Sequence, residues 1–225
     1  MSATIAIAEG IAIITMDDGK ANAVNPAMVA ALNACLDRAE REARAVVLAG
    51  RAQRFSGGFD LKMMAAAPRE EVRELVRSGG RLAMRLYGFP MPVVAACTGH
   101  CVAMGVFLLL ACDVRIGAAG GFKIGANETA IGMTLPVFAI ELLKARLDPR
   151  HLTRAAVNAE LYSPEGAVEA GYLDRVADAG EVVLTAARAQ AVALSALAGP
   201  AFAATKRLLR RHTLDVVAAD IGSIS

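Results

Sequence analysis

"QRFSGGFDLK", residues 53–62, sets a Gly-Gly pair between two phenylalanines and follows it with an acid and a base. Glycine tolerates positive φ and lets a ligand approach the main chain closely. Ser56-Gly57-Gly58-Phe59 is therefore either a plain turn or a turn that leaves N–H groups free to bind. The apolar run "ARAVVLAG" (43–50) just before it reads as a buried strand bounded by Gly50. The same pairing recurs downstream. A second buried strand, "PMPVVAACTG" (90–99), runs into "GHCVAMG" (99–105), which opens the apolar helix "GVFLLLACD" (105–113). A helix N-terminus carries unpaired N–H groups and a partial positive charge. Two such turns side by side offer two N–H donors to one oxygen, which is an oxyanion hole.

A third stretch, "IGANETAIGM" (124–133), holds Glu128 in an apolar run between Asn127 and Thr129. A carboxylate among apolar neighbours has a raised pKa and can act as a base near neutral pH. The competing reading is a capping or surface glutamate. For Asn127, substrate contact competes with plain turn formation.

Around these turns the pattern alternates. "ATIAIAEGIAIITM" (3–16) reads as a hairpin about Glu9-Gly10. "NPAMVAALNACLDRAERE" (25–42) begins at the helix cap Asn25 with Pro26 in the first helical position, and Met28, Val29, Leu32 and Leu36 recur at helical spacing. Residues 69–87 read as a charged helix, and "VRIGA" and "FKIG" as short strands. From about residue 135 the pattern is helical and alanine-rich. One domain is expected over residues 1–225, with an α/β core over about 1–140 and a helical part over about 141–225.

Net charge is +2 over 225 residues, with no tryptophan and no long basic run. That argues against nucleic acid as the main partner, since phosphate binding needs clustered Lys and Arg. "RLLRR" (207–211) reads as a solvated helix face. Cys35, Cys97, Cys101 and Cys112 match no zinc pattern and read as reduced core thiols of a cytoplasmic protein. The N-terminus lacks the basic start and cleavage site of a signal peptide. "VAMGVFLLLAC" (102–112) is too short to span a bilayer, so no membrane role is expected.

Taken in order, these segments resemble the crotonase (enoyl-CoA hydratase/isomerase) superfamily over nearly the whole chain. "GKANAV" (19–24) is similar to its first CoA-binding segment, "FSGGFDLK" to its first oxyanion turn and "GHCVAMGVFLLLACD" to its second. "SPEGAVEAGYLDRV" (163–176) is similar to its helix-turn, and "ALAGPAFAATKRLL" (196–209) to its closing helix. The resemblance implies an α/β spiral of ββα units with a C-terminal helical subdomain. It also implies an acyl-CoA substrate, a trimer or hexamer, and no metal or redox cofactor. It assigns the two N–H donors to Phe59 and Met104, the base to Glu128, and substrate contacts to Ala21, Ala23, Ser56, Gly57, Gly58, Asp60, Leu61, Lys62, Phe107 and Asn127. Phe59, Phe107, Met63, Met64 and Phe138 are expected around the acyl pocket or in the core.

Two departures bear on the reaction. Ala103-Met104-Gly105 replaces the family's usual Gly-Gly-Gly, which questions pocket shape more than the backbone donor. Phe107 stands where hydratases of this family carry a second glutamate. A phenylalanine can neither hold a water nor accept its proton. The pattern is closest to the 3,2-trans-enoyl-CoA isomerases, in which one glutamate moves a proton from C2 to C4. Enoyl-CoA hydratase is the alternative, and Glu141 is available in sequence but off the family's position. A crotonase-fold acyl-CoA binder with little catalysis is a third reading. It is motivated by the closing "IGSIS", beyond which many relatives continue.

Overall fold

A computed structural model describes residues 2–177, 182–197 and 199–221; most of "IGSIS" lies outside them. The chain opens with β1 (Ala3–Ala8) and β2 (Ile11–Met16). They pair antiparallel through a two-residue turn in which Glu9 and Gly10 both have positive φ, 54° and 78°. That turn twists in the sense the strands need. Helix α1 (Pro26–Glu42) starts where Asn25 accepts a bond from Met28 N–H.

Three ββα units follow. The first contains β3 (Ala45–Ala49), β4 (Gln53–Ser56), α2 (Leu61–Ala66) and α3 (Arg69–Tyr87). The second contains β5 (Val93–Cys97), β6 (Gly99–Val102) and α4 (Met104–Ala111). The third contains β7 (Val114–Gly117), β8 (Ile124–Gly125), α5 (Val137–Arg146), α6 (Leu152–Ala156) and α7 (Pro164–Ala170). A short strand, β9 (Arg175–Val176), precedes α8 (Val183–Ser195) and α9 (Gly199–Ile221).

The first strand of each unit joins a six-stranded sheet in the order β1-β2-β3-β5-β7-β9. All its pairings are parallel except β1 with β2. Both faces are covered, as a parallel sheet requires. Val46, Leu48, Val93 and Ala95 point into the core shared with α1, α3 and α4. Their alternates Val47, Ala49, Val94 and Ala96 meet Ala186, Ala187 and Ala191 of α8. The side-chain period of two sorts one strand into two cores. Small residues on the α8 side let that helix lie close.

The second strand of each unit forms another, smaller parallel sheet, β4-β6-β8. Gly99 sits at the tightest point, where a Cβ would stand 2.0 Å from the carbonyl carbon of Gln53. Any side chain there would drive these strands apart.

Beyond about residue 135 the pattern reads as mostly helical, and β9 is the strand among the described residues there, returning to the edge of the large sheet beside β7. One sequence expectation changes. "RLLRR" is not wholly a solvated face: Arg210 is buried, ion-paired to Asp113 at 2.9 Å and donating to Tyr87 O at 2.6 Å.

Candidate active site

Parallel strands end on the same side, and the loops leaving the carboxyl ends of β4, β6 and β8 converge there. This is where open parallel sheets place their ligands. From β4 comes Gly57-Gly58-Phe59, from β6 comes Ala103-Met104, and from β8 comes Ala126-Asn127-Glu128.

The first loop is held by segment 21–24. Gly57 N–H donates to Ala21 O, Val24 N–H to Gly58 O, and Asp60 N–H to Val24 O. This bridge uses the groups on either side of Phe59, so Phe59 N–H points the opposite way and has no main-chain acceptor among the described residues. Behind the bridge lies Asn22, fully buried with φ 53°. Its Nδ2 donates to Met16 O at 2.9 Å and Phe55 O at 3.1 Å, and its carbonyl accepts from Ser56 Oγ at 2.7 Å. Asp18 closes the same loop, accepting from the N–H groups of Lys20, Asn22 and Ala23. The sequence reading passed over both residues; their spacing of four, with polar side chains that can bond to nearby main chain, was the available signal.

The second loop lies directly against the first. At Gly58 (φ 89°) a Cβ would stand 2.6 Å from Ala103 Cβ and 3.2 Å from Met104 N. Ala103 has φ 50°, a conformation costly for a side-chain-bearing residue. Its N–H bonds Gly125 O, tying this loop to the third. Met104 is the first residue of α4, and its N–H has no main-chain acceptor among the described residues. Two unpaired N–H groups thus sit on neighbouring turns, one of them reinforced by the positive end of a helix.

Glu128 precedes a short 3₁₀ turn over Thr129–Ile131 but makes no side-chain cap bond to it, so the capping reading fails. It is 6% exposed, and its Oε2 has no partner. Burial raises its pKa from 4.5 to about 7, against the opposing pull of the Glu128 and Asn127 N–H groups. Asn127 Oδ1 is likewise buried and unpaired, as is the hydroxyl of Tyr172 nearby. Unsatisfied polar atoms in a native core are uncommon and call for a reason.

Asn127 and Glu128 border a cavity of about 60 Å³. Gly57, Phe59 and Leu61 line it from the first loop, Ala103 from the second, and Asn127, Glu128, Ile131 and Met133 from the third. Ile131 and Met133 were not singled out from sequence. Larger cavities of about 600 and 540 Å³ lie against α9. Neither borders Glu128, which lines the small cavity.

Other expected residues fall elsewhere. Asp60 caps α2 by accepting from Met63 N–H at 3.1 Å. Ala21 meets Gly57 through its main chain, and Ala23 N–H is taken by Asp18. Lys62 is exposed and does not line the cavity. Phe107 does not line it either: it is buried with its ring edge-on to Phe138, centroids 5.8 Å apart. His100 accepts from Lys123 N–H at 3.1 Å and touches Phe122. Among the described residues no cluster of His, Cys, Asp or Glu could hold a metal ion, and no helix is long and apolar enough to cross a membrane.

The site combines two adjacent turns bearing unpaired main-chain N–H groups with one buried carboxylate, on a spiral of ββα units. Residues 6–221 match the Enoyl-CoA hydratase/isomerase family, and the chain belongs to it, with the crotonase fold. It is similar to a probable enoyl-CoA hydratase of Bacillus subtilis, 32% identical over 139 residues, 60% of this chain. The matched stretch spans 53% of that relative. It is 29% identical over 208 residues to human mitochondrial enoyl-CoA delta isomerase 1, covering 91% of this chain and 68% of that one. A solved Mycobacterium tuberculosis structure is 42% identical with a TM-score of 0.94, covering 98% of this chain and 93% of that one. It is described as a probable enoyl-CoA hydratase, and a second structure of the same protein as an enoyl-CoA isomerase.

Proposed function

We propose that the chain moves the double bond of an acyl-CoA thioester from position 3 to position 2. The observation that carries this is a single carboxylate, Glu128, in the cavity beside two free N–H groups. The thioester oxygen accepts from Phe59 N–H and Met104 N–H. Glu128 takes a proton from C2, and the electron pair delocalises through the adjacent double bond into a dienolate held by those donors. Glu128 then returns the proton to C4. A pKa near 7 suits a group that must both accept and release a proton. Each preorganised donor contributes roughly 3 kcal/mol to such a transition state. No metal or redox step is needed, because the reaction only relocates a proton.

Hydration of a 2-enoyl thioester is the second reading, favoured by the names several relatives carry. It needs a second group to hold and deprotonate water. Helix α4 offers Phe107 where the resemblance places that group, and Glu141 is occupied by Lys144 at 3.0 Å. An acyl-CoA binder without catalysis would leave the unpaired, titratable Glu128 without a use. A homotrimer or hexamer in the cytoplasm is part of the proposal. Leu208 and Leu209 stand 70% and 82% exposed on α9, as an interface would need, and all four cysteines are unpaired thiols.

Product analysis with 3-enoyl and 2-enoyl thioesters separates the readings. The expected result is conversion of the 3-enoyl to the 2-enoyl compound, with little 3-hydroxyacyl product. Rapid hydration of the 2-enoyl compound with no shift of the 3-enoyl bond would overturn the proposal.

A further inference from the structure

Helix α3 carries two glycines in mid-helix, Gly79 and Gly80, each costing about 1 kcal/mol relative to alanine. The structure shows what they make room for. A Cβ at Gly79 would stand 2.8 Å from Cζ of Phe59 and 3.3 Å from Cε of Met104. A Cβ at Gly80 would stand 2.7 Å from Cδ1 of Phe138. Phe107 then stacks edge-on to Phe138. Phe59 and Met104 at Gly79, and Phe138 with Phe107 at Gly80, thus wall this stretch of α3. All but Phe59 are buried to 1% exposure or less.

Phe59 joins this wall to the cavity, because it lines that cavity while its ring tip rests on Gly79. The space left beside Glu128 is about 60 Å³. Pockets for larger ligands run to roughly 300–1,000 Å³. A longer tail must displace the Phe59 ring, and its path backward is blocked by the helix backbone at Gly79. The opposite rim is open: Leu61 is 50% and Ile131 43% exposed, which suits entry of the thioester arm.

We propose that this site selects short-chain acyl thioesters, and that the Phe59 side chain is the residue that sets the limit. The inference rests on the thioester reading of the site but not on which reaction follows. Phe59 therefore has two separable parts: its N–H faces the thioester oxygen, and its ring stops the tail.

Binding of saturated acyl-CoAs tests this independently of turnover. Calorimetric titration with butanoyl-CoA and decanoyl-CoA should show the longer compound binding at least about tenfold more weakly, the size expected for forcing an overpacked core to yield. In Phe59→Ala the ratio of the two dissociation constants should shift at least about tenfold toward decanoyl-CoA. Gly79→Ala, which pushes the ring into the cavity, should shift it the other way. The ratio within each variant cancels a general loss of affinity. Equal or tighter binding of decanoyl-CoA by the wild-type chain would overturn the proposal, as would an unchanged ratio in folded Phe59→Ala. If butanoyl-CoA is selected but no 3-enoyl-CoA is isomerised, the reaction assignment fails and the length limit stands.

Discussion

Two carboxylates, the partly buried Asp113 and the buried Glu128, meet opposite fates in this molecule. Asp113 closes α4 and is surrounded. It accepts from Val93 N–H at 2.7 Å and pairs with Lys206 at 2.7 Å and Arg210 at 2.9 Å. Those two cations also reach Met91 O and Tyr87 O, and the Arg210 guanidinium lies 4.3 Å above the Tyr87 ring. The cluster ties α9 to the ends of α3 and α4. Glu128 is more deeply buried, yet among the described residues one of its oxygens has no partner and no cation is among the groups that shift its pKa. A buried charge with good partners fixes structure; one without them holds its proton loosely near neutral pH. The difference separates a carboxylate that holds the fold together from one left free to titrate.

Glu128→Gln should have the largest effect, lowering turnover of a 3-enoyl-CoA roughly 10³-fold while acyl-CoA affinity changes less than about threefold, since only proton transfer is lost. Steady-state kinetics beside calorimetric binding checks this. Asp113→Ala breaks the other side of the comparison. It strands Lys206 and Arg210 in the interior and should destabilise the fold by about 3–5 kcal/mol in urea unfolding. A loss below about 1 kcal/mol would show that the cluster is dispensable.

A third experiment asks what the unpaired carboxylate costs. The pKa of Glu128 is higher in the folded chain than in the unfolded one. The stability this contributes is therefore fully present below the unfolded value of 4.5 and lost as pH rises through about 7. At pH 8 the folded chain carries a buried charge that glutamine would not impose. Glu128→Gln should be more stable than wild type there by up to roughly 3 kcal/mol, the gap between 4.5 and about 7, with the advantage shrinking toward pH 5. Unfolding at both pH values measures it. Ala103→Gly should matter least. Relief at φ 50° is offset by the freedom glycine gains on unfolding, so stability should change by less than about 1 kcal/mol.

The large sheet apart from β9, and α1, were plain in the sequence because their signals are local: Asn25 caps, Pro26 starts, and Glu9-Gly10 turns a hairpin. Of the small sheet only β8, within "FKIG", was. Its strands have four, four and two residues, too few to show a period, and glycines interrupt them where backbones touch. Without that sheet the turns at Gly58 and Ala103 could be paired only by resemblance. Asn22 escaped notice because its work is to satisfy carbonyls remote in sequence, Arg54 O and Phe55 O among them. Arg210 was misjudged for a related reason: its neighbours Leu208 and Leu209 face outward, so composition gave no hint which charge turned in. Glu128 was legible as a charge in an apolar run, but its missing partner is a fact of three-dimensional packing.

The pH dependence of kcat/KM for conversion of a 3-enoyl-CoA to the 2-enoyl product tests the central claim most directly. If Glu128 is the base, the rate should rise about tenfold per pH unit up to about pH 7 and level off above it, because only the ionised carboxylate accepts the proton from C2. A profile that is flat from pH 5 to pH 8, or one that Glu128→Gln leaves unchanged, would contradict it.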